Sequence, residues 1–291
     1  MELGQIGTAM VTPFSKTGNI EYDLTEKLVE HLIATGTDSL IVCGTTGESP
    51  TLNHDEKFSM FSNVIEIVRK RIPVIAGTGT FNTAESVKLT QRAENLGADG
   101  IMLVTPYYNR PDQNGMIAHF SHIAAETALP ILLYNIPGRS AVNMQAETVI
   151  ELSKIKNIRA VKEASGSLEQ MSKIISGTGD SFKVYSGDDA LTLPLLSIGG
   201  EGVISVASHI VGLEMKEMIN AYKSGDTVKA ATLHRKLLSL FQAIFSAPNP
   251  VPIKYALSKI GIETGGVRMP LTEFGEGSIP FDEIWNRYKN A

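Results

Sequence analysis

One lysine at the end of an apolar run has the setting that covalent chemistry needs. Lys162 follows the run 158–161, which reads Ile-Arg-Ala-Val. A lysine that points into a protein interior loses hydration, and this loss lowers its pKa. The neutral amine attacks carbonyl carbon and forms a Schiff base. The alternative is a strand-end lysine whose ammonium reaches solvent or pairs with Glu163 or Asp188, and the sequence alone leaves both interpretations open.

Hydroxyl and guanidinium groups elsewhere in the chain complement a small 2-oxo acid. Thr45 and Thr46 are flanked by glycines and offer hydroxyls and backbone N–H groups to a carboxylate, unless they form only an ordinary turn. Tyr134 has a phenol that can pass protons, or it packs with its hydroxyl satisfied. Arg139 follows a Pro-Gly turn and can hold a carboxylate through two hydrogen bonds, or it forms a surface salt bridge. Together these groups indicate carbonyl and carboxylate chemistry.

Short β-branched runs that alternate with helical patterns must position these residues. Most of the runs are apolar throughout, as expected for parallel strands that are covered on both faces. Their starts are roughly 20–35 residues apart, which is the size of a βα unit. The runs are 5–12, 39–43, 74–76, 100–104, 131–134, 158–162, 183–186 and 202–206. Eight such units predict an α/β fold, a (β/α)8 TIM barrel whose active site lies at the carboxyl ends of the strands.

The alternation stops after a helical pattern at 209–223. Further helical patterns follow at 226–245, 252–260 and 281–288, without another strand between them. We therefore predict a catalytic barrel over residues 1–224 and a small C-terminal helical domain over residues 225–291.

Composition and charge exclude several classes of function. The 291 residues carry a formal net charge of −5 and no long basic stretch, which argues against a nucleic-acid partner. The apolar run at 128–136 is shorter than the roughly 20 residues that span a bilayer. The N-terminus lacks a signal-peptide pattern, and the single cysteine excludes an internal disulfide. No histidine pattern completes a metal-binding set, so we expect a cytoplasmic protein without metal or membrane.

Motifs along almost the whole chain resemble those of the dihydrodipicolinate synthase family. This family belongs to the pyruvate-dependent class I aldolases, which include N-acetylneuraminate lyase. The lyase shares the threonine loop, the tyrosine and the lysine, whereas Arg139 is similar to the synthase. The matching motifs are residues 9–14 (AMVTPF), 44–48 (GTTGE), 134–139 (YNIPGR), 161–166 (VKEASG), 185–189 (YSGDD) and 249–254 (NPVPIK).

The resemblance implies a lyase that condenses pyruvate with L-aspartate-4-semialdehyde in lysine and diaminopimelate biosynthesis. Lys162 would form the Schiff base, and no metal or organic cofactor would be needed. Thr45 and Thr46 would hold the pyruvate carboxylate, and Arg139 would receive the carboxylate of the aldehyde. The alternatives are a sugar-acid aldolase that cleaves N-acetylneuraminate or a 2-keto-3-deoxy acid, and a non-catalytic binding protein on the same barrel.

The resemblance also implies how further residues complete the site. Gly187 and Ile204 would line the pocket. Tyr134 would relay protons through Thr45 to Tyr108, and in the family this last tyrosine comes from the neighbouring subunit of a tight dimer. We therefore expect a homodimer or a dimer of dimers, which is a homotetramer.

Some family members bind lysine as an effector in a cleft at the dimer interface. The positions of that cleft that match here are Ser49, His54, Glu85 and Tyr107. Two positions depart from the lysine-sensitive pattern. Lys57 stands in place of a histidine, and Phe81 stands in place of an asparagine, although Asn82 is adjacent. We therefore expect weak or absent inhibition by lysine.

Overall fold

Eight parallel strands form a closed barrel in which each strand pairs with its neighbours in chain order and β8 pairs with β1. The computed structural model describes residues 3–274 and 281–290. The strands are β1 Ile6–Ala9, β2 Ser39–Val42, β3 Val74–Gly77, β4 Gly100–Val104, β5 Ile131–Asn135, β6 Ile158–Glu163, β7 Lys183–Ser186 and β8 Gly202–Ser205. The predicted (β/α)8 fold is confirmed. The first predicted strand, 5–12, is too long, because the backbone N–H of Val11 donates to His209 rather than to a neighbouring strand.

Helices connect the strands and cover the outer face of the barrel. Short 3-10 turns, Ser49–Thr51 and Asp189–Leu191, follow the ends of β2 and β7. The helices are α1 Tyr22–Ala34, α2 His54–Val68, α3 Thr83–Asn95, α4 Gln113–Ala125, α5 Pro137–Ser140, α6 Ala146–Ser153, α7 Leu168–Gly177, α8 Thr192–Ser197, α9 Ser208–Lys223, α10 Thr227–Ala243, α11 Val251–Lys259 and α12 Phe281–Asn290.

The side chains inside the barrel form a layer of their own, separate from the core between strands and helices. Successive side chains of a strand point to opposite faces, so residues two apart share a face. Ala160 belongs to the inner layer, and Lys162 therefore points inward as well. In the sheet, Lys162 is in register with Tyr134 on β5 and with Tyr185 on β7, which are both members of the inner layer. The barrel thus directs the lysine into its own interior.

The three predicted C-terminal helical patterns correspond to α10, α11 and α12. Helix α10 packs along α9, and α12 packs on α10. The division into domains 1–224 and 225–291 stays a prediction, and its residues 1–2, 275–280 and 291 lie outside the described residues. Among the helices of the described chain, none has the length and apolar character to cross a membrane.

Candidate active site

Lys162 lies buried at the carboxyl end of β6, with 4% of its surface exposed. Burial lowers the pKa of its amine to about 8, while the carboxylate of Asp189 acts to raise this pKa and the charge of Arg139 to lower it. The Nζ atom lies 4.3 Å from the centroid of the Tyr134 ring. At pH 7 a pKa of about 8 leaves about a tenth of the amine neutral, on the order of 300-fold more than the ordinary value of 10.5 allows.

Neither carboxylate that could have paired with Lys162 does so in the structure. Glu163 is the next residue on the strand, so its side chain points to the opposite face. It accepts hydrogen bonds of 3.0 Å from the side-chain amides of Asn135 and Gln170. Asp188 instead accepts a backbone N–H of the following 3-10 turn. Throughout residues 3–274 and 281–290, no side chain forms an ion pair or hydrogen bond with the Lys162 ammonium.

Gly187 provides the room that the Lys162 side chain occupies. A Cβ atom at this position would lie 2.6 Å from Cβ of Ala164 and 3.1 Å from Cε of Lys162, so a larger residue would displace the lysine. Ile204 is buried in the inner layer, where its Cδ1 fills the space above Gly7. Both residues pack within the barrel, and neither is among the residues that line the open cavity.

A cavity of about 240 Å³ opens at the carboxyl ends of β2 to β5. Its wall includes three side chains of the predicted substrate site, namely Thr45, Tyr134 and Arg139. Ser49 and Tyr107 of the predicted effector site also line it. The barrel therefore brings a hydroxyl, a phenol and a guanidinium to one opening beside the buried lysine.

Tyr134 keeps its phenol protonated at neutral pH and can therefore serve as a proton donor. Its side chain is buried, and this burial raises the pKa of the phenol to about 12. The nearby Thr45 hydroxyl and the charge of Arg139 act in the opposite direction. The phenol is therefore protonated at neutral pH.

Arg139 lies exposed in the short helix α5, at the mouth of the cavity. The helix begins at Pro137, whose ring fixes φ and whose missing N–H costs nothing at a helix start. Within the described part of the chain, the guanidinium forms neither an ion pair nor a hydrogen bond. The predicted alternative, a surface salt bridge, is therefore not formed, and the cation is available to an anionic ligand.

Thr46 is turned away from solvent and is held by the C-terminal part of the chain. Only 2% of its surface is exposed, and its Oγ1 accepts a hydrogen bond of 2.8 Å from Nδ2 of Asn249. Glu48, two residues later, forms a buried ion pair of 2.8 Å with Lys254. Sequence reasoning assigned no role to Asn249 or Lys254, although both lie in a motif that it had singled out.

Asp189 is a third residue that the sequence analysis left without a role. It is buried, and desolvation raises the pKa of its carboxyl to about 6. Its Oδ1 accepts a hydrogen bond from the Ser205 hydroxyl, and its Oδ2 accepts from the backbone N–H of Ala207. These hydrogen bonds hold the Asp189 carboxylate beside the residues that precede α9. From there its negative charge acts to raise the Lys162 pKa, against the effect of burial.

A single chain does not bring Tyr108 into the cavity. Its side chain is 94% exposed, and its backbone has a φ of +68°, in the left-handed region. The neighbouring Tyr107 lines the cavity, whereas Tyr108 does not. The predicted link from Tyr134 through Thr45 to Tyr108 is therefore not formed within one chain.

The residues of the predicted effector site lie next to the cavity. His54 Nε2 and Glu85 Oε1 are 2.7 Å apart. Lys57 is only 8% exposed; burial lowers the pKa of its amine, and the charge of Glu85 acts to raise it. Lys57, which departs from the effector pattern, therefore lies close enough to Glu85 for the two charges to interact.

Phe81 and Asn82 are both engaged in other contacts. The Phe81 ring packs edge-on against Tyr107 at a centroid distance of 5.2 Å. The side chain of Asn82 caps α3 by accepting the backbone N–H of Glu85. The side chain of Asn82 therefore caps α3 and does not replace the asparagine that the lysine-sensitive pattern has at position 81. The pattern Asn-x-x-Glu at the start of a helix could have revealed this cap from sequence.

Metal ligands do not cluster in the described residues. Over 3–274 and 281–290, no group of three or more His, Cys, Asp or Glu side chains is placed to hold a metal ion.

Comparison with known proteins decides the family. A family model described as the Dihydrodipicolinate synthetase family matches residues 2–279. The chain belongs to the dihydrodipicolinate synthetase family. A curated relative from Halalkalibacterium halodurans, named 4-hydroxy-tetrahydrodipicolinate synthase 2, is 56% identical over 93% of this chain and 93% of its own.

Solved structures of this family share the fold over nearly the whole chain. A dihydrodipicolinate synthase from Bacillus anthracis is 48% identical, with a TM-score of 0.97 and 98% of each chain covered. DHDPS from Cyanidioschyzon merolae, solved with lysine bound, is 44% identical, with a TM-score of 0.97 and 99% of each chain covered. The predicted family is confirmed, and these relatives favour the synthase over the sugar-acid aldolase.

Proposed function

We propose that this member of the dihydrodipicolinate synthetase family condenses pyruvate with L-aspartate-4-semialdehyde, the 4-hydroxy-tetrahydrodipicolinate synthase reaction. The observation that carries the proposal is Lys162, buried at the carboxyl end of β6 with a pKa lowered to about 8 and its Nζ over the Tyr134 ring. We place this reaction in the cytoplasm, without a nucleic-acid or membrane partner.

The first half of the reaction joins Lys162 to pyruvate. The neutral amine attacks the ketone carbon, the carbinolamine loses water, and an imine forms. Thr45 and Thr46 hold the pyruvate carboxylate, which fixes the ketone beside the amine. Tyr134, protonated because burial raises its pKa to about 12, donates the proton that the departing hydroxyl needs.

The second half forms the carbon–carbon bond. The protonated imine withdraws electrons, so the methyl carbon of pyruvate loses a proton to the Tyr134 oxygen, which gave up its own proton in the first half, and an enamine forms. The enamine carbon attacks the aldehyde, and the aldehyde oxygen takes the proton from Tyr134 and becomes a hydroxyl. Arg139 at the cavity mouth holds the carboxylate of the semialdehyde. The amino group of the second substrate then attacks the imine carbon and releases the Lys162 amine. The imine is the electron sink in this scheme, so the proposal includes no metal or organic cofactor.

We also propose a homodimer or a dimer of dimers in which the proton relay is completed between subunits. Tyr108 is almost fully exposed in one chain, whereas Thr45 lines the cavity. Tyr108 of the partner subunit would extend the relay from Tyr134 and Thr45 to solvent.

The decisive experiment is borohydride reduction in the presence of pyruvate, followed by peptide mass mapping. The adduct should map to the peptide that carries Lys162 and disappear in Lys162→Ala. Lys162→Arg should also be inactive, since arginine stays charged. Lys183→Ala is the matched control, because this lysine starts the neighbouring strand and pairs with Glu201 near the surface. An adduct on another lysine, or no adduct, would refute the mechanism.

The choice of aldehyde separates the synthase from the sugar-acid aldolase. With pyruvate present, the wild type should consume L-aspartate-4-semialdehyde and leave N-acetylmannosamine unchanged. The reverse preference would favour the aldolase. Trapping of pyruvate without turnover of any aldehyde would favour the non-catalytic binding protein.

A further inference from the structure

The C-terminal segment around the start of α11 reaches across the molecule to the threonine loop. Asn249 lies two residues before this helix and donates to Oγ1 of Thr46, a residue 203 positions away in the chain. Lys254, inside the same helix, pairs with Glu48. The segment 249–254 therefore contacts the loop at two points that are two residues apart.

The direction of the Asn249 hydrogen bond determines what the Thr46 hydroxyl can do. A threonine hydroxyl has one hydrogen and two lone pairs. The amide N–H of Asn249 uses a lone pair of Oγ1, so the hydroxyl hydrogen stays free to donate. No acceptor for that hydrogen occurs among the described residues. The Thr46 hydroxyl can therefore donate a hydrogen bond to an anion such as a carboxylate.

An acidic residue at position 249 would reverse this arrangement. The Asn249 Oδ1 atom is buried and finds no hydrogen-bond partner in the described parts of the chain. An aspartate would place a carboxylate oxygen against Oγ1, and the Thr46 hydroxyl would then have to donate to it. Asparagine and the nearly isosteric aspartate at position 249 would therefore form hydrogen bonds of opposite direction with the Thr46 hydroxyl.

The second contact fixes the backbone that carries Thr46. Glu48 has a φ of +56°, a left-handed conformation that is uncommon for a residue with a side chain. Both charged groups of its pair with Lys254 are buried. Lys254 Nζ also donates to the carbonyl of Gly266, and Glu48 Oε2 accepts the backbone N–H of Arg268. The pair is therefore held on both sides, and it secures the turn that follows Thr46.

We propose that Asn249 and Lys254 are positioning residues for the substrate carboxylate: Asn249 directs the Thr46 hydroxyl hydrogen toward the carboxylate, and Lys254 fixes the loop through Glu48. The inference rests on the proposed function, because it takes Thr46 to bind pyruvate. It assigns to the C-terminal helices a part in recognition of the 2-oxo acid.

The test of the first residue compares Asn249→Asp with Asn249→Ala. The aspartate takes the Thr46 hydrogen, so KM for pyruvate should rise about 10- to 100-fold, the range of a lost hydrogen bond to a charged group. The alanine removes only the donor, so its KM should rise less. Because the penalty requires an ionised carboxylate, it should grow with pH in Asn249→Asp and stay constant in Asn249→Ala. KM for the semialdehyde should change less than threefold in both variants.

A purely structural role would give a different result. It would lower the thermal midpoint and kcat, and raise both KM values together, with alanine at least as damaging as aspartate. That outcome, or an unchanged KM for pyruvate in Asn249→Asp, overturns the proposal for Asn249.

The test of the second residue removes the ion pair as a unit. Lys254→Met alone leaves a buried carboxylate uncompensated and endangers folding, whereas Glu48→Gln with Lys254→Met removes both charges. The double variant should fold and show a raised KM for pyruvate with an unchanged KM for the semialdehyde. Lys259→Met, on the same helix but paired with Asp282 at the surface, should match the wild type. A wild-type KM for pyruvate in the folded double variant overturns the role of Lys254.

Borohydride trapping on the wild type keeps the two proposals distinguishable. If pyruvate is trapped on Lys162 and the variants keep the wild-type KM for pyruvate, only the present inference fails. If no pyruvate is trapped, the proposed function fails and this inference fails with it.

Discussion

The lowered pKa of Lys162 predicts the pH dependence of imine formation. Only the neutral amine reacts, and burial lowers its pKa to about 8. The neutral fraction is therefore about 10% at pH 7, about 50% at pH 8 and about 90% at pH 9. The first-order rate of imine formation with pyruvate should rise about tenfold over this range and then level off. An unperturbed lysine would give a rise of about 100-fold with no levelling.

A substitution at Asp189 should move this pH profile in a direction fixed by charge. The carboxylate of Asp189 acts to raise the Lys162 pKa, and with its own pKa of about 6 it is mostly ionised above pH 7. Asp189→Asn removes that charge, while its side-chain carbonyl can still accept the backbone N–H of Ala207 and its amide N–H can donate to the Ser205 hydroxyl oxygen. The midpoint of the profile should therefore fall below that of the wild type.

The assay is rapid mixing with pyruvate, quenched by borohydride at each pH, with the adduct quantified by mass spectrometry. Asp188→Asn is the matched control, since Asp188 caps the neighbouring 3-10 turn and should leave the midpoint in place. A wild-type midpoint near 10, or an upward shift in Asp189→Asn, would contradict the electrostatic reasoning.

Three further predictions concern stability, assembly and regulation. Because the Lys162 pKa is lowered in the folded state, Lys162 destabilises the folded protein at neutral pH, and this cost disappears as pH rises from about 8 to 10.5. Lys162→Met should therefore raise the free energy of unfolding at pH 7 by up to about 3 kcal/mol, measured by urea denaturation. Co-expression of Lys162→Ala with Tyr108→Phe should give activity above that of either variant alone. In a hybrid dimer the Tyr108→Phe chain keeps its own Lys162 and receives Tyr108 from the other chain, so one site is intact. Activity equal to that of the single variants would show that Tyr108 acts in the site of its own chain. Added lysine should inhibit the initial rate weakly or not at all at saturating pyruvate. A cation at Lys57 near Glu85 costs about 1–4 kcal/mol against the effector's ammonium, which weakens binding by roughly fivefold to several hundredfold. Strong inhibition at sub-millimolar lysine would show that this departure does not matter.

The strands and the inward direction of Lys162 could be predicted from local sequence. Apolar runs at βα spacing specify a barrel, and the alternation of Ala160 with Lys162 sets the face on which the lysine lies. The end of β1 could not be predicted, because the N–H of Val11 finds its acceptor in His209, 198 residues away.

The residues that support the site were missed for the same reason. Nothing local to Asn249 indicates that its amide reaches Thr46, since the contact depends on where α11 packs. Glu163 was considered only as a partner for its neighbour Lys162, whereas its actual partners, Asn135 and Gln170, come from β5 and α7. Such contacts follow from the assembled barrel, not from spacing along the chain.

The hydrogen bonds of Glu163 make three positions depend on one another in any attempt to redesign the barrel. The carboxylate receives N–H groups from Asn135, Gln170 and the backbone of Ser165. A glutamine at 163 would turn an amide nitrogen toward at least one of these donors and leave two N–H groups facing each other in a buried space. A single Glu163→Gln substitution is therefore destabilising even though it keeps the size of the side chain. Libraries that vary 135, 163 and 170 together can restore hydrogen bonds that a change at 163 alone removes.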